Sequence, residues 1–276
     1  MRTPTIAAAA AAAALGLALT ACGSGSGSAA GGDGDTLVVG ATAVPAGEVL
    51  TYIQDHLAAD AGLKLEIREF TDYVLPNTAL QEGSLDANLY QNQPYLDDFN
   101  ASKGTDLVPV VQAYLPPMGV YSKKTDDVTK LADGATVAVP NDTTNEGRAL
   151  KLLAAKGVIT LKDGAGTDAS PRDITANPKH LRFKELEAAQ LPRSLDDVAA
   201  AVINNNYAQD AGLSPTRDAI LLESARDNPY ANILAVKRGN EDDPRVRKLV
   251  KLLGSADVKK FIEEKYQGSV LPAGSG

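Results

Sequence analysis

Two successive runs of apolar strands and helical stretches, separated by the extended segment Pro116–Lys124, constrain this chain more than any other feature. Strands that alternate with helices imply parallel sheets covered by crossover helices. In the first run Leu37–Thr42, Leu63–Phe70, Leu85–Tyr90 and Leu107–Tyr114 read as strands, and Gly47–Ala61, Leu75–Gln81 and Pro94–Ser102 as helices. The pattern restarts with a strand at Thr136–Val139, a helix at Asn145–Ala155, a strand at Leu181–Leu186 and a short helix at Leu195–Ala199. A strand end at Val202–Asn204 and a strand at Ala219–Leu222 follow. A second extended segment, Ala231–Lys237, leads back, and helices at Pro244–Leu253 and Ala256–Tyr266 close the chain. Two crossings predict an α/β fold of two lobes, with residues 36–123 and 228–276 in the first, residues 124–227 in the second, and a hinged cleft between.

Chemistry converges on Val137–Arg148, a buried strand that runs through a polar turn into a helix. Thr143 and Glu146 have the spacing of a capping box, which starts the helix near Thr144. The free N–H groups of such a terminus attract anions, and Arg148, one turn in, offers a forked guanidinium suited to a carboxylate.

At the amino terminus Arg2 precedes an apolar run, Ile6–Leu19, too short to span a bilayer, so residues 1–22 read as an export signal. It ends in Leu19-Thr20-Ala21-Cys22, which resembles the lipobox of bacterial lipoproteins, cut before a cysteine that is then acylated. Each buried CH₂ of an acyl chain contributes about 0.8 kcal/mol, so several chains on Cys22 anchor firmly. Residues 23–35, rich in Gly and Ser, read as a flexible tether. Cys22 is the only cysteine, which excludes an intrachain disulfide and a cysteine-based metal site. The chain carries 35 acidic against 27 basic residues and has no basic stripe, which argues against a nucleic-acid partner. A hydrolase is disfavoured as well: His56 and His180 lie far apart outside any motif, and there is no Gly-x-Ser-x-Gly elbow. No cofactor or metal is called for.

Five stretches carry a resemblance: Phe70–Asn77, Leu85–Leu96, Val139–Arg148, Gln190–Asp197 and Ala201–Asn204. In that order they resemble the methionine-binding lipoproteins of bacterial ABC importers, the NlpA type. The resemblance implies a two-lobed periplasmic-binding-protein fold, type II like, that closes over its ligand and delivers it, as a monomer, to a permease. It places an aromatic cage at Tyr73, Tyr90 and Tyr95 on the first lobe, Asn145 and Arg148 on the ligand carboxylate, and Asn204 on the ligand ammonium. Aromatic rings suit a polarizable thioether, each sulfur contact contributing about 0.3 to 1.5 kcal/mol. The family often has Phe-Gln-His where this chain reads Tyr90-Gln91-Asn92. Asn92 makes the cage more polar and keeps a methionine-containing dipeptide or another amphipathic amino acid as alternative ligands.

Overall fold

A computed structural model describes residues 35–274; the expected signal, Cys22 and residues 23–34 of the tether lie outside the described residues. In chain order the strands are β1 (Thr36–Thr42), β2 (Lys64–Phe70), β3 (Ala87–Asn92), β4 (Leu107–Leu115), β5 (Gly119–Tyr121), β6 (Thr136–Pro140), β7 (Thr160–Leu161), β8 (Ile174–Ala176), β9 (Arg182–Leu186), β10 (Ala200–Ile203), β11 (Leu221–Leu222), β12 (Asn232–Lys237) and β13 (Leu271–Pro272). The helices are α1 (Glu48–His56), α2 (Leu75–Glu82), α3 (Gln93–Lys103), α4 (Thr143–Ala155), α5 (Asn205–Asp210), α6 (Pro215–Asp218), α7 (Pro244–Leu253) and α8 (Ala256–Tyr266).

Two lobes follow from the strand order. One sheet runs β13-β4-β12-β3-β1-β2 and the other β11-β5-β10-β6-β9. The expected parallel pairing holds for β1 with β2 and β3, and for β6 with β9 and β10. The segment read as an extended return, Ala231–Lys237, is instead a strand of the first sheet, β12, which lies antiparallel between β3 and β4. The reason is topological: the chain leaves the first sheet at the end of β4, builds the second sheet, and re-enters from the same end, so the returning strand must run backwards. Strand β5 pairs antiparallel with β10 and β11 in the second sheet, although the sequence reading put residues through 123 in the first lobe. The expected helix at Leu195–Ala199 is instead a 3₁₀ turn at Pro192–Asp196. The chain straightens into β10 before an α-helical turn can propagate.

Strand β1 is buried along nearly its whole length, as a strand covered on both faces must be. Leu37 and Val39 pack with Leu50 and Ile53 of α1 and Leu249 of α7, whereas Val38 packs on the other face with Leu80 of α2 and Leu96 of α3. The second sheet repeats this arrangement, with Val137 and Val139 against Leu150 and Leu153 of α4 and Ala138 against Leu191 and Leu195. Gly147 lets the segment around Thr167 lie directly on the first turn of α4, because a Cβ there would meet the Thr167 carbonyl oxygen at 2.3 Å. That contact keeps the first turn of α4 in place, and the site is built on it.

Candidate functional site

Strand β6 ends at Pro140, and the chain enters α4 one residue earlier than its sequence suggests. Asp142, still extended, is the N-cap, and its Oδ1 accepts the Asn145 backbone N–H at 3.0 Å. Thr143 and Glu146 therefore form no capping box. The anion at this helix start is the chain's own Asp142 carboxylate, which already meets the positive end of the dipole. Glu146 turns toward Glu185 of β9. Burial, then the charge of and hydrogen bond with Glu185, push its carboxyl up to about 7. Its Oε1 has no hydrogen-bond partner among the described residues.

Arg148 is 3% exposed, and its fork is already engaged. Nε donates to Glu223 Oε1 at 2.9 Å, Nη2 donates to Glu223 Oε2 at 2.5 Å and to the Pro116 carbonyl at 3.1 Å, and the Tyr230 ring lies 4.3 Å from the guanidinium carbon. Among the described residues Nη1 has no hydrogen-bond partner, which leaves it for a ligand. Burial alone would raise the Glu223 carboxyl, but the Arg148 charge and hydrogen bonds, with the Met118 N–H at 3.1 Å, outweigh it and hold the carboxyl below its usual range. Met118 follows the first crossing and Glu223 opens the second. The ion pair thus sits where both lobe connections pass.

The first lobe supplies rings. Tyr73 lies 5.9 Å from Tyr90 and 5.8 Å from Tyr95 between ring centroids, and the Tyr90 and Tyr95 hydroxyls both donate to the Tyr73 carbonyl at 2.8 Å. Burial raises all three phenols, so they are neutral at physiological pH. Asn92 caps α3 by accepting the Tyr95 N–H at 3.1 Å. Beneath the rings Asn77, Asn88 and Gln91 bond one another in a buried network that ties β3 to α2. A fully satisfied network of this kind rigidifies its surroundings.

The segment between β2 and α2 meets α5 of the second lobe beside the cavity. Tyr73 donates its hydroxyl to Asn206 and its ring lies tilted 5.0 Å from that of Tyr207, whose own hydroxyl donates to the Thr71 carbonyl at 3.1 Å. Between the walls the cleft is a narrow slot. Tyr73, Tyr90, Asn92, Tyr95, Asn145, Arg148 and Asn204 all border it. The Asn145 amide, expected to help hold a carboxylate, commits Nδ2 to Asp142 and Oδ1 to Asn204 Nδ2 at 2.8 Å. Asn204 Oδ1 is buried without a hydrogen-bond partner among the described residues. Sequence reasoning missed Glu223 and Asn232; the latter also lines the slot and donates to the Tyr90 carbonyl at 2.8 Å. No local motif surrounds either residue. Among the described residues no group of His, Cys, Asp and Glu side chains is arranged to hold a metal ion.

A slot closed between two α/β lobes, with neutral rings on one wall and an arginine with amides on the other, defines a two-lobed substrate-binding protein. The chain belongs to the NlpA lipoprotein family, whose model matches residues 37–274. It is 45% identical over 212 residues to the D-methionine-binding lipoprotein MetQ of Salmonella typhimurium, covering 76% of this chain and 78% of the relative. Against the protein of the same name from Escherichia coli K12 it is 42% identical over 231 residues, covering 83% and 85%. The structure of a nutrient-binding protein from Burkholderia cenocepacia bound to methionine superposes with a TM-score of 0.83 at 49% identity, covering 86% of this chain and 100% of that one.

Proposed function

We propose that this protein is an extracytoplasmic receptor, lipid-anchored through Cys22, that closes over methionine and presents it to an ABC import permease. The observation that carries the reading is the pairing across one slot of the neutral Tyr73–Tyr90–Tyr95 wall with Arg148 and Asn204, whose Oδ1 has no partner among the described residues. The rings take the thioether, Arg148 Nη1 takes the α-carboxylate, and Asn204 Oδ1 accepts from the α-ammonium. The relatives named for methionine support the choice of side chain. Residues 36–118 with 228–276, and 119–227, serve as the closing lobes, so that β5 belongs to the second.

Calorimetric titration of ligand-stripped protein with L- and D-methionine is expected to give one-to-one binding heat, and absence of heat with both would refute the reading. In the same titration Tyr90→Ala is expected to weaken binding by about 1 to 3 kcal/mol through loss of a ring wall. Tyr90→Phe is expected to lose much less, since Tyr95 still donates to the Tyr73 carbonyl. Equal losses would mean that the hydroxyl, not the ring, secures the ligand.

The anchor has its own test. Cys22→Ser is expected to release the protein from membranes or to leave an uncut precursor, as fractionation and mass spectrometry would detect. Normal processing and membrane retention of that variant would exclude lipidation at Cys22.

A further inference from the structure

We propose that Asp142, which does not border the slot, is a positioning residue that makes the binding site selective for a ligand bearing a primary ammonium. The inference rests on the ligand reading above. Its basis is a directed chain of three side chains. Asp142 accepts from Asn145 Nδ2 at 2.9 Å on Oδ1 and 3.1 Å on Oδ2, and Asn145 Oδ1 accepts from Asn204 Nδ2 at 2.8 Å. The last atom of the chain, Asn204 Oδ1, is buried and has no partner among the described residues, and Asn204 is one of the residues that line the slot. Asn145 is 3% and Asn204 6% exposed, so water does not substitute freely for these bonds.

An amide can be turned end for end with little change in shape, so the direction of such a chain needs a cause. Here the cause is the Asp142 carboxylate: burial raises its pKa, and in its ionised form it only accepts. Asn145 must point its NH₂ at Asp142 and its oxygen away. Asn204 must then point its NH₂ at Asn145, which leaves its oxygen facing the slot. Each bond aligns the next amide dipole, so the charge of Asp142 strengthens Asn204 Oδ1 as an acceptor, two side chains along the hydrogen-bond chain. The slot therefore offers an acceptor and no donor at this point. It fits an ammonium and repels a second carboxylate or a carbonyl. Remove the charge, and the chain can run in either direction, with Asn204 presenting NH₂ as readily as oxygen.

The test separates this role from capping. Asparagine and serine cap helices about as well as aspartate, so Asp142→Asn and Asp142→Ser should retain the helix start, which thermal melts without ligand would verify. Calorimetry would compare L-methionine with 4-(methylthio)butanoate, the same molecule without its amino group. Wild type is expected to prefer methionine, and Asp142→Asn to reduce that preference by about tenfold or more, as loss of a charge-assisted bond implies. The reduction should come from weaker methionine binding, with the amine-free acid nearly unchanged. If wild type binds methionine and the preference survives substitution, or if both ligands weaken equally, Asp142 does not set the selectivity. If wild type binds neither ligand, the ligand reading itself fails and this inference with it.

Discussion

Arg148→Ala is expected to weaken methionine binding by about 2 to 5 kcal/mol and to lower the stability of the ligand-free protein as well. The first loss follows from closure: in a narrow slot a ligand carboxylate deprived of its cationic partner remains desolvated and unpaired. A surface arginine would contribute only about 0 to 1 kcal/mol. The second loss follows from Glu223, whose side chain is 12% exposed and whose oxygens accept from Arg148 and the Met118 N–H. Removing one member of a buried ion pair typically costs about 3 to 5 kcal/mol, because the other charge is left without compensation. The double variant Arg148→Met/Glu223→Leu separates the two effects. Apolar replacements of a buried pair are often close to neutral, so melting temperature should recover while methionine binding does not. Calorimetry beside thermal melts reads both quantities. Wild-type affinity in Arg148→Ala would place the carboxylate elsewhere and overturn the role given to Arg148.

Glu223→Gln is expected to act with opposite signs on stability and on ligand response. Glutamine keeps an acceptor for the Met118 N–H but leaves the Arg148 cation buried without its counter-charge. The ligand-free protein should lose roughly 3 to 5 kcal/mol. Methionine then supplies the missing anion, so the rise in melting temperature on adding ligand should exceed that of wild type. A pH series adds an independent check. The Glu223 carboxyl is held below its ordinary value of 4.5, so its contribution to stability is fully present above that pH and is lost as pH falls through the lowered value. Wild type should therefore lose stability on the acid side of about pH 4.5 more steeply than Glu223→Gln. Identical acid limbs, or a ligand response no larger than wild type, would mean that the pair does not govern the Arg148 charge.

The same pair marks the boundary of what the chain discloses locally. Apolar periodicity placed β1, β2, β6, α2, α7 and α8 within a residue or two, because each is decided by contacts within one turn or one strand pair and by local stops such as Gly83, which takes φ 81° after α2. The types of side chain at the site were legible too, since Tyr73, Tyr90, Tyr95, Asn145, Arg148 and Asn204 stand in short stretches that resemble a known family. The start of α4 was read one residue late, because Asp142 and Thr143 are both good caps and only the path out of β6 selects between them.

What those side chains touch was a matter for the tertiary structure. Glu223 lies 75 residues from Arg148, on a segment with no motif, and nothing in the local sequence distinguishes it from the other acidic residues. Its pairing depends on both lobe crossings meeting behind α4. The antiparallel course of β12 has the same origin, since the direction of a returning strand is set by where the intervening lobe releases the chain. Local sequence determined the elements and the chemistry they carry, because periodicity and capping act over a few residues. Long-range packing decided which charges are paired and which atoms face the slot, because burial removes the water that would otherwise make every such choice nearly equal in energy.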